Sequence, residues 1–112
     1  MAKFKMIALT TPIPGKEAAY HEWYQNQHLV ELTSLFDDIK SAQRYKLATK
    51  LLGADDNQYL AVYEIESDDP MKLMSAIGEA RASGKLTPSD ASDVNTTYTA
   101  LFEAFDEPVV KP

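Results

Sequence analysis
Residues 15–35 read GKEAAYHEWYQNQHLVELTSL, and the fold is read outward from them. Gly15 ends a proline-rich break, and Lys16, Glu17, Ala18 and Ala19 are good helix formers. At 100° per residue, Tyr20, Trp23, Tyr24 and Gln27 fall on one side of a helix, with His28 at its edge. A core-facing helix ordinarily presents Leu, Val and Ala there. Three aromatics with polar tips and an imidazole suit the wall of a small pocket as well as a core, because each tip needs a partner when buried. An unbroken helix to Leu35 would put Glu31 in the middle of this face. Either the helix bends near His28 or Glu31 enters the pocket beside it; the favoured reading is a bend followed by a short helical piece through Leu35.

The flanking segments follow a two-residue period. Phe4 to Thr11 is rich in strand formers with apolar residues on both faces, the mark of a central strand, and Pro12 and Pro14 end it. Ile39 to Thr49 alternates, with Ile39, Ser41, Gln43, Tyr45 and Leu47 on one face and Lys40, Ala42, Arg44 and Lys46 on the other. A turn-rich loop around residues 53–57 leads to a strand over Tyr59–Glu66. Ser67-Asp68-Asp69-Pro70 is a helix start, because an Asp accepts the free amides of the first turn and Pro gives up nothing at the first helical position. That helix runs to about Ser83, with Leu73, Met74, Ile77 and Ala80 inward and Gly84 closing it. Leu86 to Asn95 reads as a polar connection, and Thr96 to Phe105 as the last strand.

The order strand, helix, strand, strand, helix, strand is the ferredoxin-like βαββαβ arrangement, an α+β fold in one domain over residues 1–112. It gives a four-stranded antiparallel sheet with both helices on one face. The other face would be bare and partly apolar, so a homodimer packed sheet to sheet is expected.

Composition narrows the function. There are no cysteines, which excludes disulfides, thiolate metal sites and a cysteine nucleophile. The net charge of −6 opposes binding to nucleic acid or to anionic membrane surfaces. No run is long and apolar enough to span a bilayer, and the first residues lead into a strand, not a signal-peptide core; a cytoplasmic protein is expected. Asn95-Thr96-Thr97 has the glycosylation pattern and is taken as chance.

His28 is the candidate acid/base residue. Imidazole exchanges protons near neutrality, and enclosure by Trp23, Tyr24 and Tyr63 would tune it. The plainer alternative is a buried histidine capping the helix. Tyr20, Trp23, Tyr24, Tyr45 and Tyr63 are candidate ligand contacts, against ordinary half-buried packing. Alternation allows Arg44 or Tyr45 to face the pocket, not both. His21 is read as a surface residue, and Asn26 as a cap or surface group. His21 and His28 lie roughly 10 Å apart along a helix axis and cannot share a metal ion; neither a metal nor a cofactor is expected.

Trp23-Tyr24 ahead of His28-Leu29, then Ser41-Ala42-Gln43-Arg44-Tyr45, then Tyr59-Leu60-Ala61-Val62-Tyr63-Glu64, resemble the EthD-like branch of the dimeric α+β-barrel superfamily. The resemblance covers nearly the whole chain. The family usually carries Pro-Gly before its second strand; here the turn reads Phe36-Asp37-Asp38. It implies a pocket between sheet and helices and, for function, a cofactor-independent isomerase, lyase, cyclase, decarboxylase or monooxygenase-like enzyme. The implied substrate is a small, apolar aromatic, lactone or polyketide-like compound of a catabolic pathway. The alternatives are a non-catalytic carrier or accessory protein for such a ligand, and a dimer with a purely structural role.

Overall fold
The computed structural model describes residues 1–112. The elements are β1 (Ala2–Thr10), α1 (Glu17–Trp23), a π-helical turn (Tyr24–His28), α2 (Leu29–Leu35), β2 (Ile39–Lys46), β3 (Tyr59–Ser67), α3 (Pro70–Ala82) and β4 (Tyr98–Glu103). The sheet order is β2-β3-β1-β4, with every neighbouring pair antiparallel. This is the ferredoxin-like fold, with β1 central as its two apolar faces require. Asp69 caps α3 by accepting the Lys72 amide at 3.1 Å, and Gly84 takes a φ of +81° just past the helix end.

The helix-covered face carries Phe4, Met6 and Ala8 from β1 and Tyr59, Ala61, Tyr63 and Ile65 from β3. These pack against Leu29 and Leu32 of α2 and Leu73 and Ile77 of α3 in one core. The other face presents Ile7 and Leu9, Leu60 and Val62, and Tyr98 and Phe102, so it is apolar and uncovered within the chain. Lys5 and Glu64 form an ion pair beside them.

Two irregularities decide which side chains reach the covered face. In the π turn the Leu29 amide bonds back to the Tyr24 carbonyl, five residues earlier, so one residue is added to the helical turn. An uninterrupted helix would place Gln27 and Glu31 below Tyr20 and Tyr24. The added residue moves everything after it by one position. His28 and Leu32 take those places, Leu32 is 1% exposed, and Gln27 lies in solvent. The bend expected near His28 is this turn.

The second irregularity is a break in the β2 register, where Ile39 pairs with Ile65 and Ser41 with Glu64, leaving Lys40 as an extra residue. Strict alternation from Ile39 therefore fails. Ile39, Ala42 and Arg44 lie on the covered face, opposite Ile65, Tyr63 and Ala61, whereas Tyr45 lies on the open face. The β2 strand also ends at Lys46, earlier than the pattern to Thr49 predicts.

The connection after α3 is more than a polar loop. Leu86 and Ala91 are buried, the Ile13 amide donates to the Ala91 carbonyl at 2.7 Å, and the Asp93 amide donates to the Thr11 carbonyl at 2.8 Å. The segment is pinned across the end of β1 and forms one wall of the cavity described next.

Candidate functional site
A cavity of about 750 Å³ opens between the covered face of the sheet, the π turn, α3 and the pinned segment after α3. A volume of this size suits a compact organic molecule. Trp23, Tyr24, His28 and Tyr63 line it on one side, Met74 and Ile77 on another, and Thr87 and Ser92 on the loop side.

His28 stands at the centre of the aromatic group. Its ring stacks on Trp23 with centroids 4.4 Å apart and planes 17° apart, and meets Tyr24 edge-on at 5.4 Å. Tyr63 lies edge-on at 6.4 Å. The Nδ1 atom is shielded from solvent and has no hydrogen-bond partner in the protein. Leaving a buried polar atom unpaired is costly, and this one sits at a cavity wall. The His28 pKa is lowered from 6.5 to about 4, chiefly by burial and then by the Arg81 guanidinium, with Glu31 opposing both. The imidazole is thus neutral at pH 7, a weak base with one nitrogen free to accept or donate.

The surrounding groups hold this geometry. The Trp23 indole N–H donates to the Thr87 carbonyl at 2.8 Å. The Glu31 carboxylate accepts the Thr87 amide at 2.9 Å and its hydroxyl at 2.6 Å. These bonds hold the Glu31 pKa below its ordinary value, the Thr87 hydroxyl contributing most. Glu31 therefore fastens α2 to the loop and does not enter the pocket. Tyr24 and Tyr63 have raised pKa values, chiefly through burial, and remain neutral hydroxyl groups.

Of the six candidate side chains, Trp23, Tyr24, His28 and Tyr63 meet at the cavity and two do not. Tyr20 is 0% exposed, and its hydroxyl bonds that of Thr10, so it stands behind Tyr24 as part of the wall. Tyr45 is 45% exposed on the open face, where its hydroxyl donates to Gln43 at 3.0 Å. The extra residue at Lys40 turned it away and brought Arg44 inward. The Arg44 guanidinium lies 5.4, 5.1 and 5.6 Å from the ring centres of Tyr20, Tyr24 and Tyr59. It also donates to His21 Nδ1 at 2.8 Å. His21 is consequently half-buried and not a surface group; burial and then Arg44 lower its pKa. Asn26 lies in solvent and donates to Glu22 at 2.8 Å. Sequence reasoning missed Arg81 and Thr87 as cavity residues; their only signals were a basic residue in the last helical turn and a hydroxyl in a polar loop.

A ferredoxin-like sheet carrying an aromatic, histidine-centred cavity under its helices is the class that fold and site define. The comparisons agree with the fold. No family model matches the sequence, and no curated protein matches it. The structure is similar to that of an ethyl tert-butyl ether D (EthD) family protein from Bacillus halodurans C-125. The TM-score is 0.61 at 19% identity, over 94% of this chain and 100% of that one. It is also similar to a dimeric ferredoxin-like protein of unknown function from Thermobifida fusca YX. There the TM-score is 0.52 at 13% identity, over 92% of each chain. At these identities the likeness is one of fold: the chain has an EthD-like ferredoxin-like fold. No helix is long and apolar enough to cross a membrane.

Proposed function
We propose that this chain is an EthD-type protein that binds one small, largely apolar molecule per subunit and uses His28 for cofactor-independent proton transfer on it. The observation that carries this reading is the unpartnered Nδ1 of His28, shielded from solvent at the wall of a cavity of about 750 Å³. A neutral imidazole accepts a proton from a carbon or hydroxyl acid and can return it to a neighbouring atom, the requirement of isomerase, lyase, cyclase and decarboxylase chemistry. Stacking on Trp23 fixes the ring plane, and the Tyr24 and Tyr63 hydroxyls supply neutral donors for a developing oxyanion. Aromatic, lactone and polyketide-like molecules fit such walls. A second reading, a carrier without chemistry, is favoured by the low basicity of His28, which suits a hydrogen-bond acceptor better than a strong base.

Exchange of acidic C–H protons separates the two. Benzoylacetone, an aryl 1,3-diketone, incubated with the protein in D2O is expected to lose its central C–H signal about 10²-fold faster than with His28→Gln, the usual scale for a positioned general base. Equal rates with undiminished binding support the carrier.

Self-association belongs to the same proposal. The open face exposes Ile7, Leu9, Val62 and a half-exposed Phe102, and a second copy would cover it. The similar protein from Thermobifida fusca is described as dimeric. Val62→Asp would place an unpaired charge in that interface. Light scattering is expected to give about twice the 12.5 kDa chain mass for the wild type and the chain mass for the variant.

A further inference from the structure
Charge is distributed unevenly around the cavity. The chain holds 17 Asp and Glu, yet none of them lines it. The one lining side chain with a permanent charge is Arg81, in the last turn of α3. The chain has two arginines, and Arg44 is engaged by His21 and three rings. Arg81 is in none of the ion pairs, which join Lys5 to Glu64, Lys16 to Asp90 and Lys50 to Asp56. A cation at a helix C-terminus is favourable by itself, but that does not require it to border an apolar cavity from which carboxylates are absent.

We propose that the ligand is a small carboxylate, its anionic end paired with Arg81 at the mouth and its apolar body lying on Trp23 with a polar group turned to His28. The inference rests on the proposed pocket function and narrows its ligand class. A guanidinium presents a planar pair of donors matched to a carboxylate, and the cavity has no competing anion. An anion docked there would also offset the charge that, after burial, holds His28 neutral. Glu31 acts in that same sense, and Tyr24 and Tyr63 are uncharged.

Trp23 is the only tryptophan and lines the cavity, so its fluorescence reports occupancy. Phenylacetate and its methyl ester are matched probes that differ in charge. Phenylacetate is expected to bind the wild type about tenfold more tightly than the ester in low salt, with the preference shrinking as salt is raised. Arg81→Gln should remove the preference and leave ester binding unchanged, Arg81→Lys should keep part of it, and Lys85→Gln, an exposed control, should keep all of it. Equal binding of acid and ester to the wild type, or an undiminished preference in Arg81→Gln, overturns the inference while the pocket stands. If neither compound changes Trp23 emission, the inference and the pocket function fall together.

Discussion

Tyr20→Ala is expected to destabilise the protein by about 3–5 kcal/mol, the range for emptying a large buried aromatic site. Whole domains of this kind are stable by only about 5–15 kcal/mol. Tyr20 is 0% exposed and touches the rings of Tyr24 at 5.3 Å and Tyr59 at 5.5 Å, with the Arg44 guanidinium 5.4 Å from its centre. Little surrounds it that can collapse into the space, because β1 and α1 are held on either side by the sheet and the core. Tyr20→Phe keeps the ring but strands the Thr10 hydroxyl, and should cost about 1–2 kcal/mol. Urea unfolding monitored by circular dichroism measures both. Tyr24 leans on Tyr20, so the alanine variant should also weaken ligand binding at temperatures where it is still folded. A loss under about 1 kcal/mol for Tyr20→Ala would contradict the packing described above.

The second large effect is acid sensitivity that begins unusually early. His28 has an ordinary pKa of 6.5 when unfolded and about 4 when folded. Between those values the unfolded chain binds a proton that the folded chain refuses, so stability falls as pH falls from 6.5 towards 4. The loss from this one group reaches about 3 kcal/mol by pH 4 and levels off within about one pH unit below it. His21 is lowered too and acts in the same direction. Glu31 is also lowered, but a depressed carboxylate keeps its stabilisation above its ordinary value of 4.5 and loses it only as pH falls below. The early part of the decline therefore belongs to the histidines. In His28→Gln the decline between pH 6.5 and 4.5 should shrink to the His21 share, whatever the variant's stability at pH 7. An unchanged slope in that variant would place His28 in water.

The element order was legible because hydrophobic period switches cleanly between two and 3.6 along the chain, and because Asp69-Pro70 and Gly84 mark the ends of α3. The aromatic cluster was legible from Tyr20, Trp23, Tyr24 and His28 alone. What period cannot show is a single added residue. Reading β2 straight through Lys40 put Tyr45 inside and left Arg44 outside; the register break exchanged them. The misfit of Glu31 did signal an interruption in the first helix, but a π turn and a bend leave the same trace in sequence, and only the π turn brings His28 and Leu32 inward while sending Gln27 out. Tyr20 was read as a ligand contact because nothing in its spacing distinguishes a ring at the cavity from one behind it. The wall after α3 escaped because its Ser, Thr and Asp residues look solvated, whereas Leu86 and Ala91 anchor it and Thr87 uses its amide, carbonyl and hydroxyl to fasten Glu31 and Trp23.

A neutral imidazole with one nitrogen free faces the cavity. The most direct test is nitrogen NMR of histidine-labelled protein, titrated with acid and then, at pH 7, with benzoylacetone. The His28 ring is expected to titrate near 4 in the free protein, and its nitrogen signals to shift saturably with the ligand while those of His21, held by Arg44, barely move. A His28 ring that titrates near 6.5, or one that ignores a ligand already shown by Trp23 fluorescence to be bound, would contradict it.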